Sequence, residues 1–141
     1  MAISIASPSV SSRTNPERSL ELALAAARTA AENRAIDIVV LDMRELTSEF
    51  DYFVLATGTS RRQLHAIAEE IDHVLEDELN DRRLGREGFD ESRWILLDYG
   101  NVVIHLFDQE TRDYYRLEDL WGQAARVDVS SVIGPRTATD L

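Results

Sequence analysis

The sequence contains no cysteine, and all 15 of its basic residues are arginine. Without cysteine there is no disulfide framework, no thiolate nucleophile and no cysteine-type zinc site. That absence fits a reducing, cytoplasmic setting. The missing lysine reads as a bias of genome composition rather than as mechanism. No run approaches the roughly 18 consecutive apolar residues of a membrane span. The N-terminal stretch MAISIASPSVSSRTNPE has no basic region followed by an apolar one, so no secretory signal is expected. Positive charge is also scarce, and the net charge is −11. Proteins that grip phosphates gather Lys and Arg to release counterions. This chain is therefore expected to repel nucleic acid over most of its surface, and its field favours basic partners. The plainer reading is that the acidity confers solubility.

What is present suits one domain of 141 residues, long enough to bury a core. Residues 1–15 are rich in Ser, Ala and Pro without a period and read as a disordered tail, as do residues 124–141. The domain is expected over 16–123. Asn15 before Pro16 reads as a helix N-cap. Leu20, Leu24, Ala27 and Ala31 then mark one helical face running to about Asn33. Asp37–Met43 and Asp51–Thr57 are apolar runs suited to buried strands. Ser60 and Gln63 have the spacing of a capping box. The helix that follows carries an apolar stripe of Leu64, Ile67, Ala68, Ile71, Leu75 and Leu79. Its other face is acidic: Glu69, Glu70, Asp72, Glu76, Asp77, Glu78 and Asp81. Arg82–Ser92 is a polar connection with at most a short strand. Trp94–Asp98 and Val102–Phe107 read as strands joined antiparallel by a two-residue turn at Gly100-Asn101. A short helix or turn is expected over Asp108–Trp121. The sum is an α/β domain with one mixed sheet packed against its main helices.

Two places invite chemistry. The turn Thr57-Gly58-Thr59-Ser60-Arg61-Arg62 joins a strand end to a helix N-terminus, an arrangement able to hold an anion through Gly58, Ser60 and Arg62. The alternative is that Gly58 makes the turn, Ser60 caps the helix and the arginines are solvated. The turn lacks both the P-loop and the dinucleotide patterns. A Gly-Ser turn before a helix also begins the nucleotidyltransferase pattern. That pattern needs paired carboxylates on a following strand for magnesium, whereas the next ones here, Glu69 and Glu70, are adjacent on a helix. His65 and His73 lie too far apart for a helical metal pair. His105 sits mid-strand and reads as a packed residue, so no metal and no cofactor are expected.

The second place is the hairpin and its sequel. Alternation puts Trp94, Leu96 and Asp98 on one strand face and Ile95, Leu97 and Tyr99 on the other. If the helices cover the second set, Trp94 is left on an open side with Tyr115 and Leu117, the makings of a binding hot spot. Tyr114, Leu120 and Trp121 are instead expected in the core.

These residues carry a family resemblance. ATGTSRRQ at 56–63, REG at 86–88, RWILLDYGNVVIHLF at 93–107 and RDYYRLEDLWG at 112–122, in that order and spacing, resemble the ribosomal silencing factor, or Iojap-like, family over about residues 17–122. The resemblance implies a nucleotidyltransferase-like fold without the catalytic carboxylates, and no enzymatic activity. It implies a homodimer that binds large ribosomal subunit protein fourteen and blocks subunit joining under nutrient limitation. In organelles it implies a part in assembly of the large subunit. By the same resemblance the partner-binding residues are Trp94, Asp98, Tyr115 and Leu117. Asp108, where many members carry a non-acidic residue, adds negative charge beside them.

Overall fold

A computed structural model of the chain describes residues 16–91 and 93–133. Asn15 and the stretch 1–15, read above as a tail, lie outside the described residues, as does the side chain of Leu120. Helix α1 (Pro16–Glu32) is followed by strands β1 (Ile36–Asp42) and β2 (Tyr52–Gly58). Helix α2 (Arg61–Asp72) runs on into a π-helical turn over His73–Glu78. Strands β3 (Gly85–Glu87), β4 (Trp94–Asp98) and β5 (Val102–Asp108) come next. Helices α3 (Gln109–Tyr115) and α4 (Leu117–Leu120), strand β6 (Ala125–Arg126) and helix α5 (Ser130–Ile133) complete the described chain.

The strands form a six-stranded sheet in the order β3-β4-β5-β2-β1-β6. The expected mixed sheet is there, and its parallel pair is β2 with β5, at the centre. The remaining neighbours are antiparallel. The central strands are buried almost throughout, which is why their sequences read as continuous apolar runs instead of alternating. Tyr99 N donates to Val102 O at 2.9 Å and Gly100 takes φ +88°, closing the two-residue turn between β4 and β5.

Side chains divide cleanly between the two faces. Ile38, Val40, Val54, Ala56, Ile95, Leu97, Ile104 and Leu106 meet α1 and α2 in the main core. On the other face Leu41, Phe53, Leu55, Val103 and Phe107 form a smaller cluster, with Met43 and Leu117 from outside the strands. The Trp94 face is therefore the one away from the long helices, one of the two placements that the alternation allowed.

Helix α2 starts as its sequence dictates: Gln63 N donates to Ser60 Oγ at 3.1 Å. The Gln63 side chain reaches back to Thr59, accepting from its amide at 2.5 Å and from its hydroxyl at 2.9 Å. Leu64, Ile67, Ala68, Ile71 and Leu75 are all buried. The acidic face is less uniform than expected. Asp72 is held by the Tyr99 hydroxyl and the Arg83 guanidinium. Burial raises the Asp72 carboxyl despite both partners, and burial with the neighbouring Asp72 raises the Tyr99 phenol. This cluster joins the end of α2 to the β4–β5 hairpin.

The segment from residue 124 on, read above as a loose tail, includes a strand and a short helix among its described residues, 124–133. Strand β6 adds to the edge of β1 through Leu41–Arg126 and Asp42–Ala125. Val127 N donates to Val40 O at 2.8 Å, and Val127, Val129 and Ile133 pack on the main core. The apolar residues responsible are separated by Ser and Asp, so their composition hides them.

Ile67 is fully buried where α2 meets the sheet. Ile67→Ala is expected to lower unfolding free energy by about 2–5 kcal/mol through lost burial and the cavity left behind. Urea titration of the two proteins measures it.

A candidate docking surface

Trp94 opens β4 on the face away from α1 and α2 and is half-buried. Its ring lies 5.5 Å from Phe107 and 4.9 Å from Tyr115, centroid to centroid. Tyr115 is 53% exposed and packs edge-on against Tyr114 at 4.9 Å. Glu91, Arg93, Trp94, Glu110, Thr111, Tyr114 and Tyr115 bound an open cleft of about 440 Å³. Aromatic walls with a charged rim suit a protein partner better than a small polar substrate.

The start of β4 is set against the preceding loop by Gly88, whose φ is +77° and where an added Cβ would stand 2.0 Å from the Trp94 carbonyl oxygen. The loop between β3 and β4 can lie against Trp94 only because this residue is glycine. The arm carrying Tyr115 is set by Arg112, which is 4% exposed. Its guanidinium donates to Glu118 Oε2 at 2.5 Å, to Thr57 Oγ1 at 2.8 Å and to the Asp37 carbonyl at 2.6 Å. Burial pushes the Glu118 carboxyl up, but its bonds from Arg112 prevail and hold it below the usual carboxylate range. Between the two helices Arg116 adopts a left-handed conformation, φ 50° and ψ 54°, and reverses the chain.

That reversal decides which side chains face out. Leu117, expected on the open surface, is 7% exposed and belongs to the cluster under the sheet face. Tyr114, expected in the core, is 78% exposed. Both assignments are corrected by the left-handed turn, which moves the residue after it inward and leaves the end of α3 outside. Trp121 meets the edge of Phe53 at 6.0 Å and is half-buried, in keeping with a place against the core. Asp98 lies at the other end of β4 from Trp94, about 13 Å away at strand rise, and its carboxylate accepts from Gly100 N at 2.8 Å. The structure thus brings Trp94 and Tyr115 together, places Leu117 beneath them and sets Asp98 apart on the same strand face. Asp108 caps α3 by accepting from Thr111 N at 2.8 Å and pairs with Arg93 at 3.3 Å, so its charge is employed locally.

The Gly58–Arg62 turn is occupied by its own side chains. The Thr59 amide goes to Gln63, Ser60 caps α2, and Arg61 donates to the Glu91 carbonyl at 3.2 Å. Gly58 lies against buried Leu64, where a Cβ would come within 2.7 Å of its side chain. Among the described residues no three His, Asp or Glu side chains are placed to hold a metal ion.

Sequence reasoning passed over two residues. Nothing in the local sequence marks Arg112, because its partners Asp37 and Thr57 are distant along the chain. His105 was read only as packed. The Gly100-Asn101 register, continued along both strands, sets Leu96 opposite His105 and Trp94 opposite Phe107, which makes Trp94 and His105 diagonal neighbours on one face. In the structure Trp94 Nε1 donates to His105 Nδ1 at 3.1 Å. Burial lowers the His105 imidazole from 6.5 to about 4.

Two tests arise from this geometry. Arg112→Met strands the Glu118 carboxylate and is expected to cost about 3–5 kcal/mol, read by denaturant unfolding. His105 is neutral in the folded chain down to about pH 4, while its unfolded counterpart takes up a proton below 6.5. Its stabilisation is complete above pH 6.5 and is lost as pH falls towards 4, by at most roughly 3 kcal/mol. His73 works in the opposite sense, because its hydrogen bond with Asp77 raises it. The His105 part is therefore isolated as the difference between the parent and His105→Phe, whose stability should fall less between pH 7 and pH 4.5.

Comparisons with known proteins bear on the family and the fold. The family described as "Ribosomal silencing factor during starvation" matches residues 16–140, which takes in the C-terminal segment that the motifs above left out. The ribosomal silencing factor RsfS of Bacillus subtilis is 44% identical over 105 residues, covering 74% of this chain and 87% of that protein. The chloroplastic protein Iojap of Arabidopsis thaliana is 34% identical, covering 79% of this chain and 46% of its own length. A crystal structure of a protein from Chromobacterium violaceum superposes with a TM-score of 0.69 at 37% identity, covering 73% of this chain and 85% of that one. With a family match over nearly all the described residues, and relatives sharing both sequence and fold, the chain belongs to the ribosomal silencing factor family.

Proposed function

We propose that this chain is a translational repressor. It docks on large ribosomal subunit protein fourteen, blocks association of the large and small subunits, and slows translation when nutrients are short. It works by binding, without catalysis or cofactor. The single observation that supports this most is the uncovered aromatic surface of Trp94, Tyr115 and Tyr114 on the sheet face away from the long helices. Such a surface, on a chain of net charge −11, suits a basic protein embedded in a ribosome. Trp94 and Tyr115 make the direct contact. Leu117 supports them from below, and Asp98 meets the partner farther along β4. The working form is a cytoplasmic homodimer. No helix among the described residues is long and apolar enough to cross a membrane.

Sedimentation of the purified protein with separated subunits at moderate salt tests this reading. The expected result is binding to the large subunit alone and fewer joined ribosomes. Trp94→Ala and Tyr115→Ala, each folded, are expected to weaken binding by about 1–3 kcal/mol. Unchanged binding of both would move the interface elsewhere, and binding to neither subunit would remove the proposal.

A further inference from the structure

His105 occupies the middle of β5 on the docking side of the sheet and is 5% exposed. The Trp94 indole is a donor only, so the bond at 3.1 Å requires an unprotonated Nδ1. The neutral ring then carries its hydrogen on Nε2. That atom is buried and has no hydrogen-bond partner. The imidazole ring lies between Phe53, edge-on at 4.8 Å, and Phe107, stacked at 6.2 Å, centroid to centroid. A buried N–H left unpaired costs about 1–3 kcal/mol, and a phenylalanine at this position would avoid that cost. What the imidazole gives in exchange is an acceptor directed at Trp94. Without it the indole N–H must stay unpaired against the sheet or turn outward to find water.

Resting on the docking reading above, we propose that His105 is a positioning residue for the ribosome-binding surface: it locks the Trp94 indole with its N–H turned inward. The only polar atom of the tryptophan is then used inside the protein. What Trp94 offers outward, beside Tyr115 at 4.9 Å, is hydrocarbon. The partner surface it meets is accordingly apolar and supplies no acceptor for the indole. A fixed ring also loses little side-chain freedom on binding, which favours affinity.

A double-substitution cycle tests this with the full chain and isolated large subunits. His105→Phe, which keeps the ring volume but removes the acceptor, is expected to weaken binding about 5–20-fold although it lies beneath the surface. Trp94→Phe removes the donor and part of the contact area, and should weaken binding by a smaller factor in the His105→Phe background than in the parent, because the pair is already broken. His105→Asn keeps an acceptor near the Nδ1 position and should recover much of the loss. His105→Leu replaces His105→Phe if that variant does not fold.

A second readout needs no ribosome. The indole Nε1–H resonance of Trp94, assigned by its disappearance in Trp94→Phe, should exchange slowly with solvent in the parent and fast in His105→Phe. Equal exchange in the two overturns the hydrogen bond, and undiminished binding by folded His105→Phe overturns the positioning role while leaving the docking reading intact. A parent chain that does not bind the large subunit overturns the docking reading itself, and this inference with it.

Discussion

Two long helices cannot cover both faces of a six-stranded sheet, and α1 and α2 lie on the same one. Everything distinctive about the other face comes from that constraint. It must be closed by short pieces from the C-terminal third, and the largest anchors available are Leu117 and Trp121. These cover Phe53, Phe107 and their neighbours but stop short of the outer part of β4. Trp94 and Tyr115 are left at the boundary, packed on one side and open on the other. The proposed docking surface is thus the unfinished edge of a core. Arg112 keeps that edge in place, since its one guanidinium ties α3 and α4 to the start of β1 and to the end of β2.

Charge is arranged in two layers. Many of the arginines are matched to a nearby carboxylate: Arg44 to Asp42, Arg93 to Asp108 and Glu110, Arg112 to Glu118, Arg116 to Asp119. Apart from the buried Arg112–Glu118 pair, these are exposed and add little stability, about 0–1 kcal/mol each. Their larger effect is to cancel the positive field locally, leaving surplus carboxylates on α2 and its π-helical turn to set the long-range potential. That potential speeds the approach of a basic partner and discourages bare phosphate backbone. Affinity then falls to the aromatic residues, which salt does not screen.

Much of this was legible in the sequence, for physical reasons that also mark where legibility ended. The capping pair Ser60 and Gln63, the Gly100-Asn101 turn and the alternation along β4 are local rules, and each holds in the structure. Features decided at a distance were not legible. Strand β6 is two residues long, below any detectable period, and exists only because β1 offers it an edge. Tyr114 and Leu117 exchanged their expected places because a single left-handed residue, Arg116, lies between α3 and α4. An arginine is an unusual occupant of that region, so nothing local announced the reversal. Arg112 became central through partners 75 and 55 residues away.

The burial of Leu117 strengthens the docking surface. An exposed leucine on a loop contributes apolar area but must be ordered when a partner arrives, at roughly 0.5–1 kcal/mol for the side chain. A leucine already seated against Phe107 and Met43 has met that cost during folding. It then fixes the short turn from which Tyr115 projects. Trp94 is restrained in the same way from below by His105 and from behind by the close approach of Gly88. On the proposed docking reading, a partner meets two aromatic rings whose positions were settled before encounter, Trp94 on a strand paired along both edges and Tyr115 at the end of α3. Pre-organisation of this kind lets a few rings carry specific binding to a large assembly without a large interface. The buried residues around them, far more than the exposed acidic helix, determine how well they do so.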